Sequence, residues 1–119
     1  MPKIVVTRDQ TEHSCGSVFA YDDYVLVGPA RDPAHVRGSP TAAEAFRRII
    51  ARKQAFCSPV DVPPLFAVER DIWSAARIDP QKDRRYKTCH GNARAVLDSA
   101  AMLAAYTLTD RATAEGMRV

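Results

Sequence analysis

Apolar positions along this chain switch between two spacings. Ile4-Val5-Val6 and Tyr24-Val25-Leu26-Val27 are short β-branched or aromatic runs that read as strands, the second closed by Gly28-Pro29 and uniform enough to be buried on both faces. Pro40-Thr41-Ala42-Ala43-Glu44 is a T-x-x-E capping box, in which the Thr41 hydroxyl and the Glu44 carboxylate satisfy free N–H groups at a helix start. The helix runs from about Ala42 to Lys53, with Ala45, Phe46, Ile49 and Ile50 on one side and Arg48, Arg52 and Lys53 largely off it. Phe56-Cys57-Ser58 reads as a brief strand. Pro63-Pro64 then opens a second helix, because proline's fixed φ suits a first turn, and Leu65, Val68, Ile72 and Ala76 recur along it at helical spacing. Ile78-Asp79-Pro80 ends that helix, and Gln81 to Lys87 reads as a polar loop. Asn92 caps a third helix with Val96, Leu97, Ala100, Leu103 and Ala104 on one face. Ala105-Tyr106-Thr107-Leu108-Thr109 is the next strand, and Asp110 caps a last short helix stopped near Gly116. Strands alternating with helices predict an α/β fold, a mainly parallel sheet flanked by helices on both faces.

Composition narrows this without changing it. A length of 119 residues predicts one domain over residues 1–119, able to bury roughly two-thirds of its unfolded surface without metal or disulfide help. Hydrophobic residues at 46% and charged residues at 26% exclude wholesale disorder and fibrous repeats. The net charge of +3 is spread over both halves, so it does not point to nucleic acid. Three cysteines, Cys15, Cys57 and Cys89, form an odd set with no C-x-x-C spacing, which predicts neither a disulfide framework nor a ready zinc site and suits a reducing compartment. Charge returns after Ile4-Val5-Val6, too soon for a signal peptide, and no run approaches the roughly 18 apolar residues of a membrane span. As written, the chain is expected to be cytoplasmic and not inserted in a membrane.

In a parallel sheet, ligands bind at the carboxyl ends of strands, where loops enter helix N-termini with free N–H groups and partial positive charge. Ser58 to Leu65, Cys89 to Asn92 and Thr107 to Arg111 are such segments. Three converging helix starts suit a small anion, while turns that merely join elements explain the same spacing.

At these segments the chain resembles a known family. Tyr21-Asp22-Asp23-Tyr24-Val25-Leu26-Val27-Gly28-Pro29 with Asp32-Pro33-Ala34, then Phe56-Cys57-Ser58, and above all Ala105-Tyr106-Thr107-Leu108-Thr109-Asp110-Arg111-Ala112-Thr113 are similar to the extracytoplasmic tungstate-binding proteins of ABC importers. The resemblance covers Phe19 to Thr113. It implies the type II periplasmic binding fold, one lobe only of a two-lobed solute receptor, and a periplasmic location if the chain is a fragment of an importer component. A family segment like F-V-S-R-G-D-D-S-G-T-H-x-x-E-x-x-x-W, which contributes to the oxyanion site, aligns without a gap from Phe56 to Trp73. Phe56, Ser58, Asp61, Glu69 and Trp73 match, whereas the family's arginine falls on Pro59, its first glycine on Val60 and its S-G-T on Pro63-Pro64-Leu65. These changes remove a guanidinium, two hydroxyls and two backbone N–H groups. The glycine-rich turn before the third helix likewise falls on Asn92-Ala93-Arg94-Ala95-Val96-Leu97. The resemblance therefore implies an eroded anion site, with Ser58, Asp61, Asn92, Thr109 and Arg111 as its remaining residues and weak oxyanion binding as its activity.

Other readings compete. His13-x-Cys15 and Cys89-His90 together hold the ligands of a tetrahedral zinc site, although no spacing fits a known framework, and no cofactor is expected. Lys82, Arg84, Arg85 and Lys87 suit a phosphate backbone or a solvated loop, and Asp79 and Asp83 dilute them, so nucleic acid is not expected. Asp110 as an N-cap, and Arg111 paired with a carboxylate, would hold a strand-to-helix turn without any ligand. The sequence places no nucleophile, base and orienting group together, so a non-enzyme is expected. An interaction module, a homodimer or the partner of a missing lobe, is the alternative to the receptor reading.

Overall fold

A computed structural model describes residues 24–29, 31–110 and 112–113. Among them the order is β1 (Tyr24–Val27), α1 (Ala42–Ala51), β2 (Phe56–Pro59), α2 (Pro63–Ala76), a 3-10 turn (Pro80–Lys82), β3 (Tyr86–Cys89), α3 (Ala93–Leu103) and β4 (Tyr106–Asp110). The four strands form one sheet in the order β1-β4-β2-β3. β2 pairs parallel with both β3 and β4, and β1 runs antiparallel to β4. The expected α/β fold is present, with an antiparallel strand at one edge. The Ile4–Val6 strand, the pair His13 and Cys15, Arg111 and the turn at Gly116 lie outside the described residues.

Side chains alternate across the sheet and divide the core in two. Phe56, Tyr106 and Leu108 face α1 and α2, where Leu26, Phe46, Ile49, Ile72 and Trp73 close the larger cluster. The rings of Phe46, Phe56 and Trp73 stand 4.6–5.4 Å apart in tilted and edge-on pairs, which orient the two helices on the sheet. Cys57 and Cys89 face α3 and pack with Val96, Ala100 and Ala105. Tyr106 crosses the larger cluster to the loop after β1. Its hydroxyl donates to Asp32 Oδ1 at 2.6 Å and accepts the Ala34 N–H at 3.0 Å. The approach is so close that a Cβ at Gly28 would run into the Tyr106 ring.

Local signals place the helix starts well. Thr41 caps α1 by accepting the Glu44 N–H, and Asn92 caps α3 by accepting the Ala95 N–H. The other half of the Thr41 box is not made. The Glu44 carboxylate turns along the helix to Arg47 and Arg48, each at 3.2 Å, because cations three and four residues on compete with the backbone for it. α2 stops before the Ile78-Asp79-Pro80 sequence, with Arg77 in the left-handed conformation. Leu103 is 47% exposed and Ala104 is the left-handed C-cap of α3, so the apolar face of that helix ends at Ala100.

Two further expectations are corrected. The segment Gln81 to Lys87 is not all loop, since Tyr86 begins β3, an edge strand whose Lys87 and Thr88 are exposed. β3 borrows its order from β2, against which it is in register from Phe56↔Tyr86 to Pro59↔Cys89. That register sets Cys57 and Cys89 diagonally on one face, with Cα atoms 5.7 Å apart, and the two form a disulfide. Their separation of 32 residues along the chain conceals the pairing, which exists only once the strands are aligned. The bond suits an oxidising compartment rather than the reducing one that cysteine spacing suggested.

Candidate functional site

The carboxyl ends of β2, β3 and β4 lie at one end of the sheet, and of the expected anion residues Ser58, Asp61, Asn92 and Thr109 stand there. Physical demand for their hydrogen-bonding groups decides what each can do. Ser58 is fully buried at the end of β2, and its hydroxyl donates to Glu69 Oε1 at 2.6 Å. Glu69, buried on α2, also accepts the Trp73 indole N–H at 2.7 Å and the Tyr86 hydroxyl at 2.6 Å. Burial pushes the Glu69 carboxyl above the usual carboxylate range, with the bonds from Ser58, Tyr86 and Trp73 working against that rise. The network ties β2, α2 and β3 together and leaves the Ser58 proton committed.

The turn into α2 has few free donors. The Val60 N–H goes to the Ser58 carbonyl at 2.9 Å and the Val62 N–H to the Pro59 carbonyl at 3.1 Å. Pro63 and Pro64 bring no N–H to the first turn of α2, and no side chain caps it. Asp61 projects from this turn toward the start of α3. Its Oδ2 accepts the Gly91 N–H at 3.0 Å and stands 3.2 Å from His90 Nδ1. The Gly91 bond, helped by His90, holds the Asp61 carboxyl below the usual range. One residue on, the Asn92 side chain takes the Ala95 N–H at 2.9 Å.

At the end of β4, Asp110 accepts the Thr113 N–H at 2.6 Å and the Thr113 hydroxyl at 2.9 Å, the arrangement of an N-cap. Thr109 is buried, and its hydroxyl has no partner among the described residues. By alternation along the strands, Ser58 faces α2 while Thr109 faces the opposite side of the sheet. The structure therefore gathers Asp61, Gly91 and Asn92, leaves Ser58 and Thr109 on different faces, and Arg111 lies outside the described residues.

His90, Gly91 and Tyr86 are the partners that the anion-site reading missed. Gly91, left-handed at φ 102°, carried a signal in its type alone, and Tyr86 sat inside what read as loop. Cys89 is held in the disulfide with Cys57 and His90 stands beside Asp61, an arrangement different from the zinc cluster considered above.

No protein-family model matches the chain. It is 36% identical over 93 residues to a protein of Haloferax volcanii named as an ABC transporter anion-binding protein, covering 78% of this chain and 27% of the relative. It is 31% identical over 100 residues to the tungstate-binding protein TupA of Peptoclostridium acidaminophilum, covering 82% of this chain and 35% of the relative. The crystal structure of a tungstate ABC transporter protein from Geobacter sulfurreducens superposes with a TM-score of 0.74 at 30% identity, over 98% of this chain and 44% of the other. The chain thus spans about a third or less of the curated relatives it matches. Fold and matches define the class, an α/β domain like those of periplasmic binding proteins. Within that class the chain is a relative of the tungstate- and anion-binding proteins of ABC transporters, and it resembles one lobe of them.

Proposed function

We propose that the chain is a non-enzymatic receptor-like lobe whose oxyanion seat is eroded, so that any binding it retains is weak. The observation that carries this reading is the turn from β2 into α2, where the resemblance places an arginine, a glycine and a Ser-Gly-Thr run and this chain has Pro59, Val60 and Pro63-Pro64-Leu65. Pro63 and Pro64 bring no N–H to the first turn of α2, no side chain caps it, and the Val60 and Val62 N–H groups are spent on the Ser58 and Pro59 carbonyls. The guanidinium and the two hydroxyls that the family's arginine, serine and threonine would bring are absent from this turn. The magnitude agrees. A closed two-lobed receptor of nanomolar affinity has about −12 kcal/mol, and one lobe with half the contacts has about −6, in the tens of micromolar before any donor is lost. The Cys57–Cys89 bond favours an oxidising compartment for such a lobe.

The test is a titration of the isotope-labelled chain, followed by amide shifts, with tungstate, molybdate, sulfate and phosphate in turn. Millimolar or no response is expected, with any shifts centred on Asp61, Gly91 and Asn92. A saturable site tighter than about 10 µM would overturn the reading.

A further inference from the structure

The opposite end of the sheet carries a different surface, independent of the anion seat. Here the chain enters its parallel strands, and two backbone bonds fix the turns side by side. The Phe56 N–H donates to the Arg85 carbonyl at 3.1 Å, and the Tyr106 N–H donates to the Ala55 carbonyl at 2.9 Å. Adjacent strands lie about 4.8 Å apart, so the turns entering β2, β3 and β4 share a surface on the order of 10 Å across. α3 runs down to this same end. Its last turn presents Met102, 87% exposed, and Leu103, 47% exposed, the large hydrophobic residues left open among the described residues.

The flanking turns bring exposed cations, Lys53 before β2 and Lys82, Arg84 and Arg85 before β3. The carboxylates of the same stretch are turned to the backbone. Asp79 accepts the Gln81 N–H at 3.2 Å and Asp83 the Arg85 N–H at 2.8 Å, so they cap the chain while the cations face outward. Two protruding apolar side chains beside a basic rim match an anionic partner. Met102 and Leu103 are far too small a patch to anchor a protein interface, which needs about 800 Å² on each side. They are sufficient for shallow burial at a lipid headgroup boundary, where basic residues near the surface each add attraction. No helix among the described residues is long and apolar enough to cross a membrane, so contact of this kind is peripheral.

We propose that this end of the molecule is a docking surface for an anionic lipid bilayer, with Met102 and Leu103 entering the headgroup layer and Lys53, Lys82, Arg84 and Arg85 pairing with lipid phosphates. The test is sedimentation of the full chain with phosphatidylglycerol–phosphatidylcholine vesicles against pure phosphatidylcholine vesicles, at low and high salt. Partitioning to the anionic vesicles should exceed that to neutral ones and fall with salt. The paired substitution Arg84→Glu with Arg85→Glu should reduce it about tenfold or more. Met102→Ser with Leu103→Ser should reduce it severalfold while circular dichroism and thermal melting stay unchanged, since these side chains are exposed. Equal binding to neutral vesicles, no binding, or binding indifferent to both variants would overturn the proposal. So would preferential retention on heparin or an acidic protein without capture by anionic vesicles.

Discussion

Glu69 receives an indole and two hydroxyl donors, yet burial still leaves its carboxyl harder to ionise than an exposed one. A folded-state value raised above the unfolded one means that the native chain holds this proton more tightly. The stabilisation is complete below the ordinary glutamate range, near pH 4, and is lost as pH rises through the raised value. Glu69→Gln keeps the shape but cannot ionise. In urea unfolding across mildly acidic to neutral pH, the stability of the natural chain relative to this variant should decline as pH rises, whereas a constant difference would show that Glu69 does not titrate in this way. Asp32 behaves oppositely. Burial acts to raise its carboxyl, but the Tyr106 hydroxyl and the Arg37 and Val36 N–H groups outweigh it and hold the carboxyl below its usual range. At this scale the sequence was legible wherever the chemistry is local. Thr41 and Asn92 reach donors three residues away, within the reach of a motif. Asp61 and Gly91 meet across 30 positions, so the residue was visible as a candidate while its partner was not.

Elements were legible in proportion to their own hydrophobic pattern. β1 and β4 are almost wholly buried and announce themselves by apolar or β-branched runs, and β2, Phe56–Pro59, is buried throughout. Tyr86-Lys87-Thr88-Cys89 has two exposed members and a charge, as suits an edge strand, and nothing local distinguishes it from the basic loop before it. The same concealment applied to the disulfide, whose geometry follows from the pairing of β2 with β3. Closing 32 residues by this bond should stabilise the fold by about 3–4 kcal/mol through loss of unfolded-chain entropy. Unfolding in denaturant with and without a dithiol reductant measures this directly. A Cys57→Ala, Cys89→Ala chain should match the reduced form to within about 1 kcal/mol, the scale of ordinary packing changes. No change of stability on reduction would show that the bond contributes nothing to the fold.

At the largest scale, the two ends of the described sheet carry different groups. Asp61 and Asp110 stand at the carboxyl ends of the parallel strands, where the resemblance implies anion-binding groups, and the exposed Lys53, Lys82, Arg84 and Arg85 stand at the other end. The sheet is also graded across its width. Among the described residues, β4 and β2 have neighbours on both sides, while β1 and β3 have one each. Amide exchange should therefore be slowest in Tyr106–Asp110 and Phe56–Ser58 and faster in β3; protection of β3 equal to that of β4 would contradict this. The strand order has a further consequence during synthesis. As the chain leaves the ribosome, β2 and β3 can pair as soon as both emerge, but β1 has no neighbour among the described strands until β4 is made some eighty residues later and enters between β1 and β2. Until then two strand edges stand open, so the nascent chain passes through a long interval in which it is exposed to mispairing with other chains.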